Sequence, residues 1–381
     1  MSGTSMDGLD ACHIEASTKG PRRIASASAS MPSELRANLM RLQVEDRPEA
    51  ALDLAAQSAG QLADEVSRLV RPLLDQASRA GHEIKAIGVH GQTLRHRPEQ
   101  GYSLQIINPA RLAESLGVTV VFDFRSRDIA AGGEGAPLVP VFHLAMTQDL
   151  RAQLSDPGQG LAVVNLGGMA NITLLTRDGD AQGFDTGPGN TLLDAWCSVH
   201  QGTPFDAEGA WAASGRADDE WVDELLREPY FQRTGPKSTG RDQFNLTWIT
   251  SRLAAFEQRV GRPLSAVDVQ ASLLRLTARS IARACPTRPA HLILCGGGTR
   301  NTALIRALAR ETGTSPTLSS DVGWPEQEVE AAAFAWLAFL NLSGLPGNLP
   351  SVTGARGPRV LGSVCPAGRP AAPAASGVLG L

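Results

Sequence analysis

The sequence is poor in the features that mark secreted, membrane and nucleic-acid-binding proteins. Its five cysteines are scattered and include no C-x-x-C pair, so neither a zinc knuckle nor a disulfide framework is indicated. It contains no run of about 18 apolar residues, as a membrane-spanning helix requires, and no charged segment followed by an apolar one, as in a signal peptide. Its net charge of −4 comes without a basic block, which argues against a nucleic-acid surface. We therefore expect a soluble, cytoplasmic protein with reduced thiols and without a nucleic-acid or membrane partner.

The length of the chain and its content of hydrophobic residues indicate two lobes. At 381 residues the chain exceeds one ordinary compact domain, and 42% hydrophobic residues are enough for a sizeable core. Residues 34–80 are rich in alanine and leucine at helical spacing, and residues 84–89 and 118–124 have the composition of buried strands. These segments predict a mixed α/β architecture.

Two segments of the chain share one plan of strands and glycine turns. Residues 161–176 are typical of a strand, a Gly-Gly turn and a second strand, and a third short strand then ends at Asp185. Near the N-terminus, a glycine loop at residues 2–8 precedes strands at residues 9–16 and 23–30, which repeats the second half of that plan. The repetition predicts duplicated lobes that face each other across a cleft.

The first glycine loop lacks the strand that should lead into it. The loop begins at Ser2, and a hairpin with one arm leaves the neighbouring strand with unpaired N–H and C=O groups. Two explanations are open: Met1 is an internal methionine of a longer reading frame, or the edge of the first lobe is frayed. We favour the first, and expect the codons upstream of Met1 to encode a short β-type run such as alternating isoleucine, valine and glycine.

The stretch Gly183-Phe-Asp-Thr-Gly-Pro-Gly-Asn190 isolates one carboxylate, that of Asp185, among residues that favour tight turns. Glycines on both sides let the backbone approach a ligand, because no Cβ is in the way. The apolar run from Thr191 predicts a helix capped by Asn190, and the free N–H groups at a helix start favour phosphate. An ordinary tight turn with a solvated aspartate is the alternative.

A third glycine turn follows a predicted strand at residues 291–294. It consists of Cys295-Gly-Gly-Gly298, and a helix over residues 301–310 follows it. Strand, glycine turn and helix together present N–H groups to a nucleotide, although the residues match neither the Walker nor the Rossmann motif. Each glycine turn alone could be a plain turn, but the three turns and Asp185 together favour an ATP held between two lobes.

The order and spacing of several short motifs carry a resemblance to a known family. The motifs are Met1-Ser-Gly-Thr-Ser-Met-Asp-Gly8, Val89-His-Gly-Gln-Thr-Leu-Arg-His-Arg-Pro98, Asp123-Phe-Arg-Ser-Arg-Asp-Ile-Ala-Ala-Gly-Gly-Glu-Gly-Ala-Pro-Leu138, Asn165-Leu-Gly-Gly-Met-Ala-Asn-Ile172, the stretch around Asp185, Pro236-Lys-Ser-Thr-Gly-Arg241, Cys295-Gly-Gly-Gly-Thr-Arg-Asn301, Glu330-Ala-Ala-Ala-Phe-Ala-Trp336 and Val352-Thr-Gly-Ala355. Together they extend from residue 1 to about residue 366, and they resemble the anhydro-N-acetylmuramic acid kinases, members of the actin/hexokinase-like ATPase superfamily.

The resemblance implies an α/β fold with a duplicated RNase H-like, actin-like ATPase core and an ATP cleft between two lobes. Lobe one would comprise residues 1–130 and 345–366, with the first phosphate loop and part of the sugar site. Lobe two would comprise residues 131–344, with the second phosphate loop, the catalytic aspartate and the nucleotide site. Residues 367–381, rich in alanine, proline and glycine, would form a disordered tail.

The resemblance has two departures. Family members carry a short strand ahead of the first loop, in line with the missing arm here. At Gln105-Ile-Ile-Asn-Pro109 the family has Gly-Asp in place of Ile107 and Asn108, so any contribution of that acid to sugar binding or lobe packing is lost.

The resemblance also implies the reaction and the residues that carry it. Water would open the anhydro bridge of 1,6-anhydro-N-acetylmuramic acid while ATP phosphorylates O6, giving N-acetylmuramic acid 6-phosphate in peptidoglycan recycling and amino-sugar catabolism. This chemistry needs a general base, a metal for the phosphates and donors for developing charge. Asp185 suits the base, and Asp7 suits a direct or water-mediated contact with Mg²⁺. The residues expected to bind ATP are Gly3, Thr4, Ser5, Met6, Asp7, Gly8, Leu9, Asp10, Asn165, Gly167, Gly168, Gly187, Gly296, Gly297 and Gly298.

The first group of residues expected to bind the sugar follows the strand at residues 118–124. Arg125, Arg127 and Asp128 could hold the lactyl carboxylate and hydroxyls, because arginine binds carboxylates through two parallel hydrogen bonds. A salt bridge between the lobes is the alternative for this cluster.

A second group lies elsewhere in the chain. His90 and Gln92 follow a strand, and His90 is explained equally well as a packed, hydrogen-bonded side chain. Glu330 opens an otherwise apolar helix at residues 328–342, where it would contact the sugar or be solvated at the surface.

Other functions stay open on the same fold. One is a non-catalytic nucleotide- or sugar-binding protein, and another is a kinase of a different sugar or of acetate. ADP release with the anhydro sugar, but not with ordinary N-acetylmuramic acid, would distinguish the three. The sequence is also compatible with a homodimer.

Overall fold

The computed structural model describes residue 1 and residues 8–44, 48–156, 159–235 and 237–368. Within these ranges the strands are β1 (Gly8–Ser17), β2 (Gly20–Ser30), β3 (Ala86–Gly88), β4 (Gln92–Arg97), β5 (Tyr102–Ile106), β6 (Thr119–Phe122), β7 (Gly160–Leu166), β8 (Met169–Thr176), β9 (Ala181–Pro188), β10 (His291–Cys295), β11 (Pro316–Leu318) and β12 (Ser363–Cys365). The helices are α1 (Ser33–Val44), α2 (Pro48–Arg79), α3 (Pro109–Leu116), α4 (Ser126–Ala130), α5 (Pro140–Met146), α6 (Gln148–Ala152), α7 (Thr191–Gln201), α8 (Ala210–Ser214), α9 (Asp219–Leu225), α10 (Pro229–Gln232), α11 (Leu246–Val260), α12 (Ala266–Ala284), α13 (Thr302–Thr312), α14 (Val329–Leu342) and α15 (Pro350–Thr353).

The second half of the chain forms one five-stranded sheet with the order β11-β10-β7-β8-β9. Strands β7, β8 and β9 are antiparallel neighbours, and β10 pairs in parallel with β7 and with β11. An antiparallel meander followed by two parallel strands on the far side of its first strand is the RNase H-like order. The predicted fold class is therefore confirmed.

The central strand β7 explains why this sheet forms where the sequence predicts it. Alternate side chains of a strand point to opposite faces, and here both faces are covered. Leu161 and Val163 pack into one hydrophobic cluster, whereas Ala162 and Val164 pack into the other. All four side chains are buried, which accounts for an apolar run rather than an alternating one.

The first half of the chain forms shorter sheets. Strands β1 and β2 make an antiparallel hairpin, β3 pairs in parallel with β6, and β12 adds to the far edge of β6 in the antiparallel direction. Strand β12 thus pairs the end of the described chain with a strand of the first half. Helix α14 packs against β1 and β3 and also contributes to the cluster that includes Val163 and Ile293. The exact limits of the two lobes stay a prediction.

A groove separates the β1–β2 hairpin from β3. In the second half, β7 lies between its hairpin partner β8 and the parallel strand β10, but no strand among the described residues lies between β1 and β3. The groove there has a volume of about 710 Å³, with both strand edges and apolar side chains of α2 and α14 in its walls. Met1 and Asp10 also line the groove, and the Asp10 N–H donates to the carbonyl of Met1 over 2.9 Å.

An asparagine stands directly before α3 and before α7, but only the first caps its helix with its side chain. Asn108 caps α3, because its Oδ1 accepts the Arg111 N–H at 2.9 Å; in this position asparagine serves as well as aspartate. The prediction that Asn190 caps α7 is wrong. Its backbone is already helical, and its Nδ2 instead donates to the carbonyls of Leu166 and Gly167 over 3.0 and 3.1 Å.

Only two residues of the predicted C-terminal tail lie within the described ranges. Of the predicted tail, residue 367 and residue 368 follow β12 without regular structure, and residues 369–381 lie outside the described residues. No helix in the described ranges combines the length and the apolar character that crossing a membrane would take.

Candidate active site

The Gly167-Gly168 turn between β7 and β8 is locked onto the start of α7. The Asn190 N–H donates to Gly167 O over 2.9 Å, and the N–H groups of Gly189 and Thr191 donate to Gly168 O over 2.8 and 3.1 Å. A Cβ on Gly189 would lie 2.4 Å from Gly167 O, so only glycine fits there. The two glycine motifs, apart in sequence, therefore form one surface.

The turn after β10 packs onto the same surface. Gly296 has a φ of +83°, and a Cβ there would lie 2.2 Å from Asn165 Oδ1. A Cβ on Gly298 would lie 2.7 Å from the Cβ of Leu166, whereas Gly297 is exposed. Both turns lie at the carboxyl ends of the parallel strands β7 and β10, where open α/β sheets bind their ligands. These two glycine turns therefore lie side by side, and their contact with ATP stays a prediction.

Three residues predicted to bind ATP have other surroundings. Gly187, with a φ of +142°, packs against Phe231, since a Cβ there would lie 2.6 Å from Phe231 Cε1. Leu9 is a core residue with 2% exposure, so any contact with a nucleotide would have to come from its backbone. The Asp10 carboxylate accepts a hydrogen bond from Ser28 Oγ at 2.7 Å. Gly8 opens β1, and Gly3, Thr4, Ser5, Met6 and Asp7 lie outside the described residues.

Asp185 lies within β9, in line with the predicted strand that ends at this residue, but β9 continues to Pro188, so the alternative of an ordinary tight turn is wrong. It pairs with Asn171 of β8, while Gly187 pairs with Ala170, and the extra residue Thr186 makes a β-bulge. Such a bulge re-aims the side chains beside it. The carboxylate is partly buried and is one strand away from the Gly167-Gly168 turn.

Helix α10 and the segment that follows it hold Asp185 in place. The Asp185 N–H donates to Lys237 O over 3.0 Å, and the Tyr230 hydroxyl donates to the Asp185 carbonyl over 2.7 Å. The Thr239 N–H donates to Asp185 Oδ2 over 3.1 Å. Burial raises the pKa of Asp185 to about 6, and the Thr239 hydrogen bond opposes this shift. The group is therefore ionised at neutral pH and close to the pKa range suited to a general base.

A cavity of about 150 Å³ lies beside the same strands. Its walls include Arg125, Asn165, Asn171 and Glu330. Asn165 Nδ2 donates to Glu330 Oε1 over 3.5 Å. Burial raises the pKa of Glu330, while the nearby Arg125 guanidinium lowers it. Glu330 is thus half-buried at a cavity wall, not solvated at the surface, and Asn171 links this cavity to its strand partner Asp185.

His90 and Arg125 form one buried unit. Arg125 Nη2 lies 2.9 Å from His90 Nε2, and Arg125 Nη1 donates to Gly135 O over 2.7 Å. His90 Nδ1 lies 2.7 Å from Gly91 O, which assigns the proton to Nδ1 and makes Nε2 the acceptor. Burial, assisted by the Arg125 charge, holds the pKa of His90 well below its usual value. His90 is therefore the packed, hydrogen-bonded side chain of the two alternatives, and it orients Arg125.

The remaining predicted sugar residues divide into buried and exposed groups. Asp128 is fully buried, and its Oδ1 accepts from Asn348 and Thr353 over 2.6 and 2.8 Å while Oδ2 accepts the Gly135 N–H over 2.8 Å. Its carboxylate is thus used to hold two loops, so the prediction that it contacts the sugar is corrected to a positioning role.

The other two members of these groups have unused polar atoms. Arg127 is exposed and forms no salt bridge with any described residue, so the predicted alternative of an interlobe ion pair does not apply. Gln92 is buried, and its Oε1 finds no hydrogen-bond partner within the described ranges.

Sequence reasoning missed the hydrogen bonds that residues of α10 and of the segment after it make with Asp185. Tyr230, Lys237 and Thr239 each bond to Asp185, although no role was predicted for them. For Lys237 and Thr239 the signal was the motif that ends at Arg241, which resembled the family motif but was given no chemical role; Tyr230 lies outside that motif.

Comparison with known proteins gives one consistent result. The family model described as "Anhydro-N-acetylmuramic acid kinase" matches residues 1–367. The chain is 49% identical over 371 residues to the anhydro-N-acetylmuramic acid kinase of Bordetella pertussis, covering 96% of this chain and 95% of that protein. It is 47% identical over 377 residues to that of Cupriavidus pinatubonensis, covering 96% and 97%. A solved activator of 2-hydroxyisocaproyl-CoA dehydratase from Clostridium difficile is 12% identical, with a TM-score of 0.38 over 88% of this chain and 96% of that one, too weak a likeness to support a conclusion.

Proposed function

Because the chain belongs to the anhydro-N-acetylmuramic acid kinase family, we propose that this kinase uses ATP and water to convert 1,6-anhydro-N-acetylmuramic acid into N-acetylmuramic acid 6-phosphate. The observation that supports this best is Asp185, one strand away from the glycine turns. Its partly buried carboxylate accepts the Thr239 N–H, and two further hydrogen bonds hold its backbone. A base beside a phosphate site is what coupled hydrolysis and phosphoryl transfer need.

The proposed reaction moves one proton and makes two bonds. Asp185 accepts a proton from water, whose oxygen bonds to the anomeric carbon as the bond from that carbon to O6 breaks. O6 then bonds to the γ-phosphorus, and the bond to the bridging oxygen breaks, which releases ADP. Asp185 finally gives its proton to solvent, and its pKa of about 6 allows both transfers near neutral pH.

The glycine turns supply donors for the phosphates in this proposal. Gly168, Gly297 and Gly298 offer backbone N–H groups at the ends of β7 and β10, where no Cβ blocks a phosphate oxygen. The Thr191 hydroxyl supports this, because it is buried next to Gly168 and has no hydrogen-bond partner among the described residues. A phosphate oxygen would satisfy that orphaned donor.

The sugar would lie against Arg125, Asn171 and Glu330. Burial lowers the pKa of Arg125 to about 10, so it still carries its charge at neutral pH and suits the lactyl carboxylate. The cavity of about 150 Å³ is smaller than the roughly 300 Å³ of a typical small ligand pocket. We therefore place one end of the sugar in it, with Arg127 and Gln92 available for further polar contacts.

Mg²⁺ would accompany ATP, because kinases use it to neutralise the β- and γ-phosphates. Mg²⁺ prefers one or two carboxylates and otherwise water and phosphate oxygens. The described residues fit such a sparse protein contribution, since no three histidine, cysteine, aspartate or glutamate side chains come together in them. Asp7 stays the proposed carboxylate, directly or through water.

The wider role follows from the substrate and the co-substrate. An anhydro-muramic acid is a fragment of peptidoglycan, so we place the reaction in peptidoglycan recycling and amino-sugar catabolism. We place the enzyme in the cytoplasm, where ATP is available, with the sugar and ATP as its partners.

ADP release in a coupled assay tests this function. The purified chain with ATP and Mg²⁺ should release ADP with 1,6-anhydro-N-acetylmuramic acid but not with ordinary N-acetylmuramic acid. Equal release with both sugars would indicate another sugar kinase, and nucleotide binding without release would indicate a binding protein.

A further inference from the structure

Arg241 lies at the junction of the two parts of the proposed site. Its Nη2 is 3.7 Å from the position that a Cβ on Gly168 would occupy, so the guanidinium lies over the Gly167-Gly168 turn. Two residues earlier in the chain, Thr239 donates its N–H to the Asp185 carboxylate over 3.1 Å. One short segment therefore brings a cation to the phosphate turn and a hydrogen bond to the base.

Hydrogen bonds hold the backbone of this segment, whereas the Arg241 guanidinium has no hydrogen-bond or ion-pair partner among the described residues. Lys237 O accepts the Asp185 N–H over 3.0 Å, and Arg241 O accepts from Asn245 Nδ2 over 3.1 Å. The Arg241 side chain itself is exposed and forms no salt bridge with a described residue. An arginine on an anchored backbone with an unused guanidinium is suited to bind an anion.

The nearest acidic group does not satisfy Arg241. Asp194, in the first turn of α7, is close enough for its pKa to be lowered by Arg241, but burial dominates and raises the pKa to about 6. No ion pair joins the two side chains. Asp194 therefore attracts the guanidinium toward the turn without occupying its donors.

We propose that Arg241 binds the terminal phosphate of ATP and so aligns it with the sugar oxygen that Asp185 helps to release. This inference rests on the proposed function. The terminal phosphate fits better than the inner ones, because it must react close to Asp185, and Thr239 of the segment that carries Arg241 bonds to the Asp185 carboxylate. Lysine would supply the charge but only one point of contact, whereas arginine offers two parallel donors.

The test compares nucleotide affinities of three variants of the full chain. In calorimetric titrations, Arg241→Gln should weaken binding of a non-hydrolysable ATP analogue about 10- to 100-fold, as expected when one charge-assisted contact is lost. Its affinity for AMP should change less than about twofold, and Arg241→Lys should be intermediate. Arg233→Gln, an exposed arginine of the same segment, is the matched control and should leave both affinities unchanged.

The outcomes separate this proposal from the proposed function. Unchanged affinity for the ATP analogue in a folded Arg241→Gln variant would overturn it, as would an equal loss for the analogue, ADP and AMP, which would place Arg241 away from the terminal phosphate. ADP release by the wild-type chain tests the function independently. A wild-type enzyme that turns over while Arg241→Gln binds normally would refute only the role of Arg241.

Discussion

Replacement of Asp185 by asparagine should stabilise the fold while it abolishes turnover. Burial raises the pKa of this carboxylate from 3.8 to about 6, so the folded state disfavours the charged form. Asparagine has nearly the same size, and its Oδ1 can still accept the Thr239 N–H that now donates to Asp185 Oδ2 over 3.1 Å. The substitution therefore removes the buried charge and the proton acceptor but keeps the size of the side chain and its hydrogen bond with Thr239.

The sign and size of the stability effect follow from linkage. Since the folded pKa lies above the unfolded one, wild-type stability falls as pH rises through the window from 3.8 to about 6. At 1.36 kcal/mol per pH unit, the charged form costs the wild type about 3 kcal/mol at pH 7 and only about 0.6 kcal/mol at pH 4. These are upper values, because water still reaches the partly exposed carboxylate. Asparagine is free of this cost at every pH.

Urea unfolding at pH 8 and pH 4.5, together with ADP release, measures both effects. Asp185→Asn should be more stable than wild type by about 1–3 kcal/mol at pH 8, and the gap should narrow at pH 4.5. Turnover should fall by about 10² to 10⁴, nearer the upper end. Asp53→Asn, an exposed site on α2, is the control and should stay within about 0.5 kcal/mol at both pH values. A variant that is destabilised at pH 8, or that keeps more than about a tenth of wild-type kcat, would refute the reasoning.

Three further predictions concern the glycine turn, the buried aspartate and the open groove. Gly168→Val should weaken binding of an ATP analogue far more than sugar binding, because its Cβ would meet Thr191 Oγ1 at 2.9 Å and block the N–H groups. If a folded variant binds the analogue with the same calorimetric affinity as the wild type, the Gly167-Gly168 turn does not bind phosphate. Asp128→Ala should lose about 2–3 kcal/mol in urea unfolding, since it leaves the Gly135 N–H unpaired and leaves Asn348 and Thr353 only their longer bonds of 3.4 Å to backbone carbonyls, whereas Arg127→Ala on the same helix should stay within about 0.5 kcal/mol. A seven-residue stretch of alternating valine and threonine fused ahead of Met1 should raise the Tm by filling the groove between β1 and β3, and a glycine-serine stretch of equal length should not; equal melting temperatures would show that the groove accepts no strand.

Local signals predicted the fold well. The apolar run of β7 and the glycine turns that follow β7 and β10 depend on residues adjacent in sequence, and the structure has each of them at the expected place. Their convergence could also be predicted, because parallel strands of one sheet end at the same edge.

The partners of buried polar groups could not be predicted in the same way. Asp128 bonds to Asn348 and Thr353, which lie more than 200 residues further along the chain, so no local pattern signals its burial. The continuation of β9 past Asp185 to Pro188 depends on a bulge opposite Ala170 and Asn171, whereas the glycine and proline residues after Asp185 favoured a turn. These positions are decided by tertiary contacts, which override local preference.

Isotope transfer from water tests the central claim most directly. The wild-type chain, ATP and 1,6-anhydro-N-acetylmuramic acid should be incubated in ¹⁸O-water, and the sugar phosphate analysed by mass spectrometry with fragmentation. If water attacks the anomeric carbon while O6 takes the phosphoryl group, one label appears at C1 and none in the phosphate. Label in the phosphate, or a phosphorylated product without label at C1, would contradict the proposed reaction and the role of Asp185 as its base.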